Sequence, residues 1–176
     1  MPDPMNSTPM YKSFTDICTV AKSYLIVMQQ PDPEQIQQLF AQLNPDLSYQ
    51  LLHLKNSDDD EMSELLNDIT QLVFQAKAGM HSIVVGDESF LWVVHQCLNR
   101  MGVMADEISM ILESTQQPLK TIYCVHCGTL QQTSEIEFCH CEHCQVYLLI
   151  RSHFSQRLGA YMGVCANPHQ KLGVAS

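Results

Sequence analysis

No stretch of this sequence stays apolar for anything near the roughly 20 residues that a membrane-spanning helix needs, so a membrane function is not expected. Basic residues are scarce: 9 Lys and Arg stand against 19 Asp and Glu, a formal net charge of −10. The imbalance is local, because residues 1–120 hold 6 basic against 16 acidic side chains while residues 121–176 hold 3 against 3. A polyanion needs a basic face, and the larger part of this chain would repel it, so nucleic acid is not an expected partner. The opening MPDPMNSTPM has neither a positive n-region nor an apolar h-region. Residues 1–22 therefore read as a flexible tail with no secretory signal, and a cytoplasmic location is expected.

What is present is 45% hydrophobic residues, a globular proportion, arranged in two styles. Between residues 23 and 113 short apolar runs alternate with helix-period segments, which predicts an α/β layer with a small Rossmann-like parallel sheet. Ser23–Met28, Tyr49–Leu54, Ser82–Val85 and Glu107–Leu112 read as strands. Ile36, Leu39, Phe40 and Leu43 recur at helical spacing after Pro33, Met62 to Ala76 forms a second stripe, and Phe90 to Met101 a third. The acidic run Asp58-Asp59-Asp60-Glu61 sits where carboxylates favour a helix N-terminus. Residues 114–120 read as a linker.

Eight cysteines without an export signal suggest metal ligands and buried thiols rather than disulfides. Five of them fall between Cys124 and Cys144: Cys139 and four in two CxxC knuckles, Cys124/Cys127 and Cys141/Cys144, separated by thirteen residues. Each knuckle can turn two thiolates to one side, and a hairpin between them brings the pairs around one tetrahedral ion. Residues 121–150 are thus expected to form a zinc ribbon. Four thiolates leave no open position for substrate, which favours a structural zinc; iron in the same four-sulfur geometry is the competing metal. Gly128 suits the positive φ of the knuckle turn. Cys139 offers a third sulfur beside Cys141, but the symmetric pair is simpler, leaving Cys139 spare and His126, His140 and His143 exposed. Cys18 and Cys97 lie on apolar stretches and are expected in the core. His95 and Trp92 are assigned no catalytic role.

SIVVGDESFLWVVHQCLNRMGVMADEISMILE, Ser82 to Glu113, resembles the last strand–helix–strand of ferredoxin-reductase-type NAD(P)-binding domains, with Val85-Gly86-Asp87 in place of their Cys-Gly-Pro turn. No glycine-rich turn follows the first strand, where Met28-Gln29-Gln30-Pro31 stands, and Asp87 and Glu88 oppose a phosphate. Gly86 and Asp87 therefore read as a vestigial cofactor turn. The knuckles, together with Leu149-Ile150-Arg151-Ser152-His153-Phe154-Ser155-Gln156-Arg157-Leu158-Gly159-Ala160-Tyr161-Met162-Gly163-Val164, resemble the small DmmA-type subunit of bacterial dimethylamine monooxygenase, also described as haem-dependent oxidative N-demethylase. The resemblance implies an accessory subunit of an NAD(P)H-dependent complex oxidising dimethylamine to methylamine and formaldehyde. Haem, flavin mononucleotide, a two-iron cluster and tetrahydrofolate would then sit on partners, a haem-bearing catalytic subunit and a flavin and iron–sulfur reductase subunit. Residues 151–176 read as a docking tail, with Arg151, His153, Phe154, Arg157 and Tyr161 as its partner-binding residues. A reductase component binding NAD(P)H or flavin is the alternative.

Overall fold

A computed structural model describes residues 8–18, 20–55, 59–113 and 119–167. The chain divides into two compact units, residues 11–115 and residues 116–176, residues 1–10 being grouped with the second. Asp58, residues 1–7, most of the expected linker (114–118) and residues 168–176 lie outside the described residues. No helix among the described residues is long and apolar enough to cross a membrane.

The first unit, residues 11–115, is a four-stranded parallel sheet in the order β2-β1-β3-β4, with β1 Ser23–Met28, β2 Ser48–His53, β3 Met80–Gly86 and β4 Ile108–Leu112. Helices α1 Pro33–Gln42, α2 Asp59–Gln75 and α3 Glu88–Arg100 make the crossovers. Both faces are covered, which is why β1 and β3 are apolar almost throughout rather than alternating. On one side Leu25, Val27 and Val84 pack with Ile69 of α2 and Leu91, Val94 and Leu98 of α3. On the other, Tyr24, Ile26, Met28, Ile83 and Val85 pack with Leu39 of α1. Asp32 caps α1, its carboxylate accepting from the Glu34 amide at 2.9 Å, and Pro33 follows where a missing N–H costs nothing.

The expected tail is structured from Tyr11 onward. Lys12 bridges to Ile111 and donates its amide to Met110 O at 2.8 Å, extending the sheet beyond β4. Tyr11 Oη donates to Glu88 Oε1 at 2.6 Å and accepts from Trp92 Nε1 at 3.1 Å. Of the two thiols expected in the core, Cys97 is half-buried against α2, its Sγ 3.8 Å from Leu66 O, and Cys18 is half-buried near the N-terminus.

The second unit is a five-stranded sheet in the order β6-β5-β9-β8-β7: β5 Lys120–Cys124, β6 Leu130–Thr133, β7 Phe138–His140, β8 Tyr147–Ser155 and β9 Ala160–Cys165. β5 and β6 form one antiparallel hairpin and β7 and β8 another. β9 lies between them, parallel to β5 and antiparallel to β8. Residues 151–165, expected as a tail beyond a ribbon ending at 150, are thus the end of β8 and the central strand of this sheet. The sequence reading stopped short because a parallel pairing to a distant strand leaves no local signal.

His81 is buried, with Nε2 2.8 Å from Ser109 Oγ, and that hydroxyl accepts from Lys12 Nζ at 3.1 Å. Burial first, then the Lys12 charge, hold the His81 pKa below its ordinary value; burial does the same to His95. Both imidazoles are harder to protonate folded than unfolded, so the unfolded chain binds more protons once pH falls below about 6.5. The stability they contribute should be complete above that pH and fall below it. Urea melts between about pH 5 and 7.5 should show this slope, and His81→Gln should flatten it; a slope unchanged by that substitution would remove His81 from the account.

Candidate metal centre

Two hairpin turns build the centre. Cys124 ends β5 and Cys127 closes the turn after it; Cys141 follows β7 and Cys144 precedes β8. The two turns carry the same backbone bonds. Gly128 N donates to Cys124 O and Gln145 N to Cys141 O, both at 2.8 Å; Cys124 N donates to Thr129 O and Cys141 N to Val146 O, both at 2.9 Å. The residue after each knuckle must therefore take a positive φ: +77° at Gly128 and +59° at Gln145. Glycine does this freely, whereas a side chain there costs about 1–2 kcal/mol. Gln145 offsets part of that cost by donating Nε2 to Glu142 O at 2.9 Å. Its offset from Cys141, matching that of Gly128 from Cys124, was the available sequence signal for this turn.

The four Sγ atoms lie within 4.8 Å of one another, with Cys124 to Cys144 at 3.8 Å and Cys127 to Cys141 at 3.6 Å. Sulfurs at about 2.3 Å from one tetrahedral ion would be about 3.8 Å apart, so the set fits a thiolate-bound metal. Cys124 and Cys141 are buried, Cys127 and Cys144 half-buried, and all four positions are sulfur. Thr129, through its hydroxyl 3.3 Å away and its backbone, lowers Cys127 to about 6. Burial raises Cys124. The Val146 amide favours the Cys144 thiolate, but burial and the three neighbouring sulfurs outweigh it and push that thiol up to about 12. A bound cation is what allows four such neighbours to be ionised together, so metal uptake must release protons.

Cys139 is not part of the set. It points to the buried side of the sheet, packed in the same small core as Ile122, Val146, Leu148 and Ile150. Gln131 beside it is buried too, donating Nε2 to His140 O and accepting from the Glu142 amide, each at 2.9 Å. That side chain ties the first hairpin to the second knuckle, a role that sequence reading missed. His126, His140 and His143 are exposed. Gly163 of β9 faces this core where an added Cβ would come within 2.8 Å of Ile122 Cγ2 and 3.0 Å of Leu148 Cδ1, so only glycine lets the central strand lie so close.

The five residues expected in a docking tail do not form one surface. Phe154 is 2% exposed and stacks edge-on against half-buried Tyr161, ring centroids 4.9 Å apart, with Lys120 Nζ 5.3 Å from the Tyr161 centroid. Arg151, His153 and Arg157 are exposed.

The turn read as vestigial, Gly86-Asp87, lies in the other unit, where β1 and β3 leave the sheet in opposite helical directions, the usual place for a nucleotide in parallel sheets. Here Gln29 fills it. Its Nε2 donates to Asp87 Oδ2 at 2.8 Å and its Oε1 accepts from the Asp87 amide at 2.7 Å. Asp87 Oδ1 accepts from Phe90 N, capping α3 from within. A Cβ on Gly86 would lie 2.7 Å from Phe90 and 2.8 Å from Gln29, which shows how tightly the crevice is filled. The Phe90 amide at the start of α3 is spent on the carboxylate of Asp87.

Residues 121–164 match the family model described as dimethylamine monooxygenase subunit DmmA-like, C-terminal domain. The whole chain is similar to the heme-dependent oxidative N-demethylase delta subunit of Ectopseudomonas mendocina (strain ymp), 35% identical over 164 residues, 93% of this chain and 90% of that protein. The chain belongs to the DmmA-like subunit family. The family match begins at Thr121 and ends at Val164, so it takes in both knuckles and the central strand β9. No solved structure matches the chain significantly.

Two outcomes follow from this geometry. Metal analysis should find about one ion per chain, released as pH falls because protons compete for the sulfurs, and Cys127→Ser or Cys144→Ser should unfold residues 119–167, whose core is too small to stand alone. A folded, metal-free unit seen by amide exchange would contradict this. Calorimetric titration with NADH or NADPH should give no saturable micromolar binding. Gln29→Ala, which leaves the Asp87 amide unpaired, should destabilise the chain by about 1–3 kcal/mol; micromolar nucleotide binding would overturn the account of the filled crevice.

Proposed function

We propose that this chain is an accessory, non-catalytic subunit of a multi-subunit amine-oxidising monooxygenase, one that removes a methyl group from dimethylamine as formaldehyde with electrons from NAD(P)H. The observation that carries this reading is the relative, a delta subunit by name, matched along nearly its whole length. The chemistry of the chain agrees with it. A four-sulfur site has no open position for a substrate, and the turn at the switch point between β1 and β3 is occupied by Gln29. In this reading the metal is zinc, the module is a zinc ribbon, and the first unit is a degenerate reductase-like Rossmann domain kept as a scaffold. Haem, flavin mononucleotide, the two-iron cluster and tetrahydrofolate belong to the haem-bearing and reductase companions. Cysteines that must stay unoxidised to hold a metal suit a reducing compartment, in keeping with the cytoplasm.

The parallel sheet and its switch point favour a second reading, a reductase component, but the self-capped α3 speaks against it. Reconstitution separates the two. The purified chain should show no dimethylamine-dependent NAD(P)H oxidation, and the complex without it should lose assembly or activity that adding the chain restores. NAD(P)H oxidation by the chain alone would refute the accessory role.

A further inference from the structure

Side chains alternate across the five-stranded sheet. Ile122, Gln131, Cys139, Leu148 and Gly163 face the metal-bearing core and are buried. The opposite side is also apolar, yet no core cluster includes it among the described residues. The pairing register puts Leu130 beside Tyr123 and Tyr123 beside Met162, then Val164 beside Leu149 and Leu149 beside Phe138, a row crossing all five strands. Leu130 is 49% exposed, Tyr147 38%, and Val125, which continues β5 on that side, 44%. At the aromatic end of the row Phe138 stacks on Tyr147 with centroids 5.4 Å apart and planes 13° from parallel, and the His140 and Tyr147 centroids are 4.8 Å apart. Ordered aromatics with Met and Arg nearby are the composition of an interface core, and rings already held in place lose little entropy on binding.

Charge identifies the occupant. In a chain of net charge −10, the paired strand residues on this side include His140 and no carboxylate, and exposed Arg151 follows Ile150 on β8 where the pairing register begins to shift. A second copy would set Arg151 against a face with nothing to pair it. We propose that this face joins the chain to a companion subunit, whose surface is apolar with a carboxylate placed opposite Arg151; the inference rests on the accessory-subunit reading above.

The test uses full-length tagged chain mixed with the purified companion subunits, followed by size-exclusion chromatography and affinity measurement. Tyr147→Asp and Arg151→Glu should each weaken association at least tenfold, whereas Phe74→Asp, on an exposed position of α2 in the other unit, should leave it unchanged. Each variant is scored only with wild-type metal content and melting temperature, and Val125→Asp replaces Tyr147→Asp if the latter does not fold. If the folded variants assemble like wild type, this face is not the interface and the accessory reading still stands. If wild-type chain joins no companion, that reading fails and the inference with it. A homodimer broken by the same substitutions would overturn the companion in favour of a second copy.

Discussion

Four sulfurs that must share one centre determine the second unit. Its two hairpins each present a pair of cysteines on an identical turn, and neither hairpin has an apolar face large enough to hold itself. Left without a cation, the thiols oppose one another, with Cys127 pulled down to about 6 by Thr129 while burial raises Cys124 and burial with its sulfur neighbours raises Cys144. A bound cation would turn that conflict into a cohesive interaction, and β9 joins the two hairpins by pairing with a strand from each. For this reason residues 151–165 are not an appendage. Removing residues 151–176 would delete the central strand, so the metal would not remain bound to what was left.

The first unit shows a different economy. Its parallel sheet is covered on both faces, and at the switch point Gln29 bonds Asp87, Asp87 bonds the Phe90 amide of α3, and Glu88 bonds Tyr11. A ligand would have to break those bonds and displace a carboxylate from a helix N-terminus before gaining a contact.

Much of this was legible in the sequence, for physical reasons that differ by element. β1 and α1 were readable because a strand buried on both faces is a continuous apolar run and Asp32-Pro33 marks a helix start. The ligand set was readable because CxxC spacing is dictated by the turn itself. Gln29 was not, since a side chain that replaces a ligand looks like any surface glutamine until its partner 58 residues away is placed beside it. Gln131 and β9 escaped for the same reason, being defined by pairings distant in the chain. Phe154 and Tyr161 were misplaced because aromatic residues after a metal module suit an exposed anchor and a buried strand equally well, and only strand register tells them apart.

As proposed, this chain is a metal-held accessory subunit with no redox cofactor of its own. Native mass spectrometry of the intact complex, with the subunits then released in the gas phase, tests that most directly. The account predicts a released chain whose mass exceeds its sequence mass by one zinc ion and nothing more. A chain leaving with a bound flavin or nicotinamide nucleotide, or one that assembles without metal, would contradict it.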